Sequence, residues 1–153
     1  DALADWIVKK FAYGPVSLDE VPPTAKFSGI MTKMKPNGSV RVIQNMSGRK
    51  DDDNDWAVNK GIDKGDFPTK MASLFDWLRA LRKAGRNCNI CKVDWSDAYK
   101  HLAVHLDDTE LQWFMWLGKA FKELCLIFGC VSSAGLFDRL AKLVLHSGFS
   151  SRH

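Results

Sequence analysis

The 153-residue sequence predicts an α+β fold, in which helices pack on one face of a mainly antiparallel sheet. Three features indicate this class: two extended segments joined by Asn-Gly, several short apolar runs in the second half, and helical apolar spacing at both ends and between them. The longest uninterrupted apolar stretch, Leu124 to Val131, is far shorter than the roughly 20 residues of a bilayer-spanning helix. We therefore expect one globular unit and no membrane span.

The chain is predicted to open with a short amphipathic helix from Ala2 to Ala12, followed by an extended loop. Apolar residues recur there at helical spacing, and Gly14-Pro15 interrupts the pattern. Three prolines between residues 15 and 25 favour an extended connection over a further helix.

A basic β-hairpin is predicted next, from the extended runs Ser28 to Lys35 and Ser39 to Asn45. Asn-Gly between them supplies the positive backbone angles of a tight turn. Residues 26–50 carry six basic side chains and no acidic one. Such a patch attracts polyphosphate, either a nucleic-acid backbone or a nucleotide, although a solvated basic surface is the alternative.

The middle of the chain is predicted to be a surface connection followed by a helix. From Met46 to Pro68 the composition is polar, and the acidic run from Asp51 to Asp55 is interpreted as solvated and not as a metal site. The helix after this connection ends at Gly85 and places an apolar stripe against the core. The stripe consists of Met71, Leu74, Phe75, Leu78 and Leu81.

The last part is predicted to contain four strands and a closing helix. Ser132-Ser133 are expected to cap this helix and Gly148 to end it. The expected strands are Asn89 to Asp94, Leu102 to Leu106, Leu111 to Leu117 and Phe121 to Phe128, the last two around a turn at Gly118-Lys119.

Four cysteines raise the hypothesis of a zinc site and, with it, a small zinc-bound nucleic-acid module. They are Cys88, Cys91, Cys125 and Cys130. We favour reduced thiols in an intracellular protein, because the first pair falls in a predicted strand, where positions three apart face opposite ways.

Asp94 is the main candidate for chemistry, since an apolar strand delivers it to a turn that exposes its carboxylate. Phosphoryl transfer needs hard oxygen ligands for two magnesium ions about 3.5 to 4 Å apart, and one carboxylate can bridge both. An aspartate that caps a short helix explains Asp94 or Asp97 equally well.

The motifs between Lys26 and Leu145 resemble those of reverse transcriptases, especially the enzymes of retrotransposons. The hairpin from Lys33 to Asn45 resembles the fingers hairpin, in which a lysine and an arginine grip the incoming triphosphate. Arg41 matches the arginine, and either Lys33 or Lys35 matches the lysine. Asn59 resembles the asparagine that comes after the hairpin segment.

The segment from Lys92 to Tyr99 resembles the first palm motif, which implies a role for each of its polar residues. Asp94 is the implied catalytic, metal-binding aspartate, and the carbonyl of Trp95 is a further metal ligand. The backbone amides of Asp97 and Ala98 face the triphosphate. Tyr99 is the implied steric gate, because its ring leaves no room for a ribose 2′-hydroxyl; a tyrosine that merely packs a helix on the sheet is the alternative.

The segment from Leu126 to Phe137 resembles the next palm motif. Phe128 and Gly129 match it and are expected to pack under the template base and nascent pair, the glycine allowing close approach of the backbone. Ile127 stands where the family commonly has proline, and Ala134-Gly135 replaces Ser-Pro. We interpret His101 and His105 as structural.

The resemblance implies a fingers-like region at residues 26–88 and a partial palm-like region at 89–153, after an N-terminal helix and loop at 1–25, all in one compact unit. It further implies Mg²⁺ as cofactor, and a nucleic-acid template-primer and dNTP as partners. The family's Tyr-x-Asp-Asp hairpin, which supplies the remaining metal-binding carboxylate, is not among the 153 residues. We therefore expect this chain to be inactive alone.

Two hypotheses are consistent with these features. The chain is a fragment of a working RNA-directed DNA polymerase, or it is a catalytically dead remnant that serves as a binding or structural subunit of a larger assembly. The six tryptophans favour the second, because tryptophans anchor interfaces. Either way, a truncated palm leaves sheet edges uncovered, so a protein partner or a further C-terminal segment is expected.

Overall fold

The computed structural model of the chain describes residues 2–36, 38, 40–48, 57–92 and 94–150. Within them the fold is α+β, as the sequence predicts, with a five-stranded sheet. The helices are α1 (Ala2–Val8), α2 (Leu74–Ala84) and α3 (Val131–Ser150). The strands are β1 (Ala12–Val16), β2 (Phe27–Met34), β3 (Val40–Asn45), β4 (Trp113–Trp116) and β5 (Lys119–Glu123).

The sheet has the strand order β1-β5-β4-β2-β3, and every neighbouring pair except one is antiparallel. The parallel pair joins β2 to β4 through only two positions, Phe27 with Trp113 and Ser28 with Phe114. The rest of β2, from Gly29 to Met34, pairs with β3 alone. The β2–β3 hairpin therefore extends beyond the rest of the sheet as a two-stranded arm.

The core lies where β1, β5 and β4 meet. Val16, Trp113 and Ala120 form a buried cluster, against which Val21 and Ala25 pack. The indole N–H of Trp113 donates to the Glu110 carboxylate over 2.9 Å, so this large ring is buried without losing its hydrogen bond. Burial of these side chains fixes the sheet from which the hairpin projects.

Both predicted hairpins are present. The β4–β5 turn consists of Leu117 and Gly118, whose φ angles of 48° and 73° are both positive, as a two-residue turn of this kind requires. The turn lies one residue earlier than predicted. The flanking strands are also shorter than predicted, because the pairing between them ends at Trp113 with Lys122.

The strands predicted at Asn89–Asp94 and Leu102–Leu106 were wrong. Residues 89–92 and Asp94 belong to no strand, and Val93 lies outside the described residues. The second segment contributes a single bridge, between Ala103 and Cys125. A strand exists only where another strand pairs its backbone groups, and the described residues provide no such partner for 89–92.

The N-terminal prediction also needs correction. Helix α1 ends at Val8, and Lys10 has a left-handed φ of 59°, so the helix does not reach Ala12. Pro15 lies in β1 and not in a loop. Because β1 is an edge strand of the sheet, the missing N–H of proline is tolerated there.

Helix α2 was correctly located, but its apolar stripe is not core. No residue of α2 is buried, and Phe75 is 76% exposed. The helix forms through local bonds: the Ser73 hydroxyl accepts from the Asp76 N–H, and the Asp76 carboxylate accepts from the Ser73 N–H. The prediction failed because amphipathic spacing does not reveal whether another element covers the apolar face.

Helix α3 is present but its ends differ from the prediction. It begins at Val131, so Ser132 and Ser133 lie in its first turn and do not precede it, and it continues past Gly148. In the part of the chain that the structure describes, no helix is long and apolar enough to cross a bilayer. The acidic run Asp51 to Asp55, and Asn37 of the predicted hairpin turn, lie outside the described residues.

Candidate functional site

A cavity of about 550 Å³ lies between the hairpin arm and the segment after Val93. It collects most of the candidate residues, although the hairpin and this segment are far apart in sequence. Lys33 and Gly129 are not among its lining residues. The candidates that line it are Lys35, Arg41, Asp94, Trp95, Asp97, Ala98, Tyr99 and Phe128.

The hairpin side of the cavity is cationic. Arg41 lies on β3, with its guanidinium carbon 5.2 Å from the centre of the Phe128 ring, a cation–π geometry. Lys33 is the cross-strand partner of Arg41, yet Lys35 is the lysine in the cavity wall. Of the two lysines that the sequence left open, the structure brings Lys35 to the site.

The opposite wall is a tight turn that presents three candidate residues in succession. Asp97 has a φ of 50°, in the left-handed region, and a 3₁₀ turn from Ala98 to His101 comes directly after it. This reversal brings the Tyr99 ring against Phe128, with 4.7 Å between ring centres. Tyr99 also meets Phe137 of α3 edge to face at 5.7 Å. The aromatic contacts fix the ring from two sides.

Asp94 is exposed in the cavity wall, and the residue after it is anchored. The Trp95 indole packs edge to face on Phe137 at 5.4 Å and on the His101 ring at 6.0 Å. The Nε2 atom of His101 lies 3.0 Å from the Ser96 carbonyl oxygen, which is consistent with a structural histidine. These contacts hold the chain just beyond Asp94 against α3.

Metal binding by these residues alone is poorly supported. Among the described residues, no group of three or more His, Cys, Asp or Glu is placed to hold a metal ion. The cavity wall offers the carboxylates of Asp94 and Asp97, while that of Glu123 is paired with Lys100. Two magnesium ions need more oxygen ligands than this, so the donor set does not fit the pair of ions that the resemblance implies.

Gly129 lies beside the cavity and its backbone touches the hairpin. Its φ is 105°, and a Cβ atom at this position would lie 2.1 Å from the Gln44 carbonyl oxygen. Only glycine permits this approach. The close contact at this position is thus between residue 129 and β3.

Asn59 connects the two sides of the site. Its side-chain nitrogen donates to the Gly129 carbonyl over 2.6 Å, and its side-chain oxygen accepts from the Val131 N–H over 2.9 Å. The same nitrogen donates to the Ser47 hydroxyl over 2.9 Å. The Asn59 amide therefore connects Ser47, just after the hairpin, to the loop at Gly129 and to the start of α3 at Val131.

Sequence reasoning missed further residues of the cavity wall, among them Trp6, Lys100 and Glu123. Lys100 and Glu123 form an ion pair whose side chains are only 10% and 3% exposed. Burial raises the pKa of the Glu123 carboxyl, and the nearby Lys100 charge opposes this. The sequence did contain a signal for this ion pair. In the predicted strand from Phe121 to Phe128, Glu123 shares one face with Phe121 and Cys125, and an acidic residue on a buried face needs a partner of opposite charge.

Comparison with known proteins supports the fold. No protein-family model matches the chain, and no curated protein matches it. A solved structure that is similar is a foamy viral protease–reverse transcriptase in complex with double-stranded DNA, with a TM-score of 0.57 over 96% of this chain and 19% sequence identity. The match covers 22% of that protein, so the chain spans about a fifth of its length. The chain has a reverse-transcriptase-like fold.

Proposed function

We propose that the chain is the fingers and first half of the palm of a reverse transcriptase, and that its cavity binds the incoming dNTP. The observation that carries the proposal is the shared cavity wall, in which Lys35 and Arg41 of the hairpin arm lie across from Asp94 and Tyr99. In the complete protein this site would serve template-directed nucleotidyl transfer. The foamy viral protein was solved with double-stranded DNA, which supports nucleic acid as the partner.

The charges on the hairpin side of the cavity suit a triphosphate. Lys100 and Glu123 neutralise each other, which leaves two cations on the hairpin side and the carboxylates of Asp94 and Asp97 on the other. Phosphate oxygens favour the lysine and arginine, with the guanidinium able to bond two of them.

The tyrosine and phenylalanine rings suit the sugar. The rings of Tyr99 and Phe128 form one wall, with Phe137 packed against Tyr99, and this wall would accept a deoxyribose while leaving no room for an additional hydroxyl. We therefore assign selection against ribonucleotides to Tyr99. Catalysis needs carboxylates beyond Asp94 and Asp97, so binding is the activity proposed for these 153 residues alone.

A second candidate function is supported by helix α2. Its apolar residues, among them Leu74, Phe75 and Trp77, are exposed on one short helix. Exposed apolar surface of this kind is typical of an interface. A catalytically inactive subunit that uses this surface in a larger assembly would not need nucleotide affinity.

Calorimetric titration of the chain with dATP and Mg²⁺ tests the first function. The variant is Arg41→Ala, and the matched control is Arg79→Ala, which removes the same charge from the exposed face of α2. We expect Arg41→Ala to weaken binding by about tenfold or more, since it removes charge-assisted hydrogen bonds, and the control to bind as the wild type does. Equal affinities of the two variants would rule out the proposed site.

Primer extension by the protein isolated from its native source separates the two functions. Its intact mass is measured first, against the 17.2 kDa of this chain. Extension that needs Mg²⁺ and is lost in Asp94→Ala supports a working polymerase. A mass of this chain alone, no extension and co-purification with other proteins support the inactive subunit.

A further inference from the structure

The turn that carries Asp97, Ala98 and Tyr99 lies outside the sheet. Residues 89–92 before it belong to no strand, and Asp97 itself has a left-handed φ. Two internal bonds close the turn: the Lys100 N–H donates to the Asp97 carbonyl over 2.7 Å, and the Leu102 N–H donates to the Tyr99 carbonyl over 3.2 Å. A backbone in an unfavourable conformation persists only where surrounding contacts hold it, so the position of Tyr99 depends on the contacts of the next residue, Lys100, as well as on its own ring contacts.

Lys100 attaches this turn to the sheet. Its ammonium group is hydrogen-bonded to the Glu123 carboxylate, and both side chains are almost fully buried. Glu123 belongs to β5, pairs with Ala12 of β1, and donates its N–H to the Gln112 carbonyl over 3.1 Å. The acceptor is therefore fixed within the sheet, and the residue next to Tyr99 is bonded to it.

Trp6 completes this contact from α1. The Lys100 nitrogen lies 4.3 Å from the centre of the Trp6 ring, so the cation meets a carboxylate and an aromatic face. Removal of either charge would leave the other buried without compensation, which is far more costly than removal of both. The three side chains form one unit, which we call the Lys100 anchor.

We propose that the Lys100 anchor, consisting of Trp6, Lys100 and Glu123, positions Tyr99 against Phe128 and thereby sets the discrimination between deoxyribonucleotides and ribonucleotides. This inference rests on the proposed function of the cavity. Lys100 acts through its neighbour in the chain, so it is a positioning residue and not a ligand of the nucleotide. Small displacements at a well-packed site have large effects on fit, which is why the anchor controls selectivity.

The test compares Lys100→Met with the matched control Lys122→Met. Lys122 of β5 pairs with Glu110 in a similarly shielded ion pair, but it does not line the cavity. Two quantities are measured for each variant: amide hydrogen exchange of the peptide that spans 96–102, and the ratio of the dissociation constants for ATP and dATP. The double variant Lys100→Met/Glu123→Met removes both charges and keeps apolar volume.

We expect Lys100→Met to speed exchange in 96–102 by about tenfold and to lower the selectivity for dATP by about tenfold. The double variant should restore most of the protection from exchange and most of the selectivity for dATP, because no unpaired charge stays buried. It also keeps the test valid if the single variant does not fold. Lys122→Met should change neither quantity.

Three outcomes would overturn the proposal. Exchange in 96–102 that is the same in Lys100→Met and Lys122→Met would show that the anchor does not hold the turn. Equal weakening of ATP and dATP, not restored in the double variant, would make Lys100 a direct phosphate ligand. A wild-type chain that binds neither nucleotide would refute the proposed function and the selectivity role, while the exchange data would still decide whether the anchor holds the turn.

Discussion

The Arg41 guanidinium lies over the ring of Phe128, 5.2 Å from its centre, and so joins the hairpin arm to the loop before α3. Arg41 forms no salt bridge with any of the described residues, and the ring of Phe128 supports its cation. The same ring also contacts Tyr99, with 4.7 Å between ring centres. Phe128 thus connects the cationic wall of the cavity to the turn on the opposite side.

Replacement of Phe128 by leucine should weaken dNTP binding about as much as loss of a cation–π contact, roughly three- to tenfold. Leucine keeps apolar volume but offers no aromatic face to Arg41 and no ring to Tyr99. Titration calorimetry with dATP measures the loss, and Phe75→Leu on exposed α2 is the matched control. An unchanged affinity in Phe128→Leu would show that the ring does not prepare the arginine for phosphate.

Asn59 should be critical for stability, although it lies beside the cavity and does not line it. Asn59→Ala removes bonds to Gly129, Val131 and Ser47, so we expect a loss of about 2 to 3 kcal/mol in the free energy of unfolding. Asn59→Asp keeps an acceptor for the Val131 N–H and should lose less. Urea unfolding measures both, with Asn89→Ala in the exposed segment as control; an Asn59→Ala midpoint equal to that of the control would contradict this role.

Gly129→Ala should destabilise the chain by more than about 2 kcal/mol, because the added methyl group meets the Gln44 carbonyl at 2.1 Å and the backbone has a φ of 105°. Gly61→Ala is the matched control, since a Cβ atom there meets nothing within 4 Å. Thermal unfolding of the two variants provides the comparison. Similar midpoints would mean that the loop after Phe128 shifts freely away from β3.

The fold could be predicted where the signal was local. Asn-Gly located the β2–β3 hairpin, and Ser73 with Asp76 defines the start of α2 within four residues of sequence. The strand predicted at 89–94 failed because pairing is decided by a distant partner, which the described residues do not provide. The prediction that α2 packs on the core failed for the same reason, since a helix face becomes core only when another element covers it.

The candidate site residues were proposed from resemblance, whereas the residues that support them were not predicted. Lys35, Arg41, Asp94 and Tyr99 belong to motifs that can be recognised one at a time. The Lys100–Glu123 pair joins two segments that no motif connects, so only the assembled sheet reveals it. Contacts that hold the turn at 97–101 are set by tertiary packing, which residue spacing does not encode.

Acid should destabilise the chain partly through Glu110. Burial acts to raise the pKa of this carboxyl, but hydrogen bonds from Lys122 and Trp113 outweigh it and lower the pKa below its usual 4.5. A carboxyl with a lowered pKa in the folded state stabilises the protein above its unfolded pKa, and that stability is lost as the pH falls through the folded value. The loss therefore begins near pH 4.5 and continues below it.

Glu110→Gln tests this assignment. The variant should be about 1 to 2 kcal/mol less stable than the wild type at pH 7, and the difference should shrink as the pH falls below 4.5. Urea unfolding at pH 7, 5 and 3.5 measures it, with Glu20→Gln at an exposed position as control. A difference that stays constant over this range would show that the Glu110 charge contributes nothing.

Because α2 is exposed, substitution of its apolar residues should have little effect on stability, unlike substitution in a helix that packs on the core. Leu78→Ser and Phe75→Ser should change the free energy of unfolding by less than about 0.5 kcal/mol each, because neither side chain is buried. Phe114→Ser in β4 is the contrasting variant and should cost more than about 3 kcal/mol, since this ring is fully buried and stacks on Phe121. Urea unfolding of the isolated chain measures all three. A large loss of stability in Leu78→Ser would mean that α2 is covered in solution, either by this chain or by a second copy. Repeating the measurement at several protein concentrations distinguishes the two explanations. Only an intermolecular contact makes the stability depend on concentration.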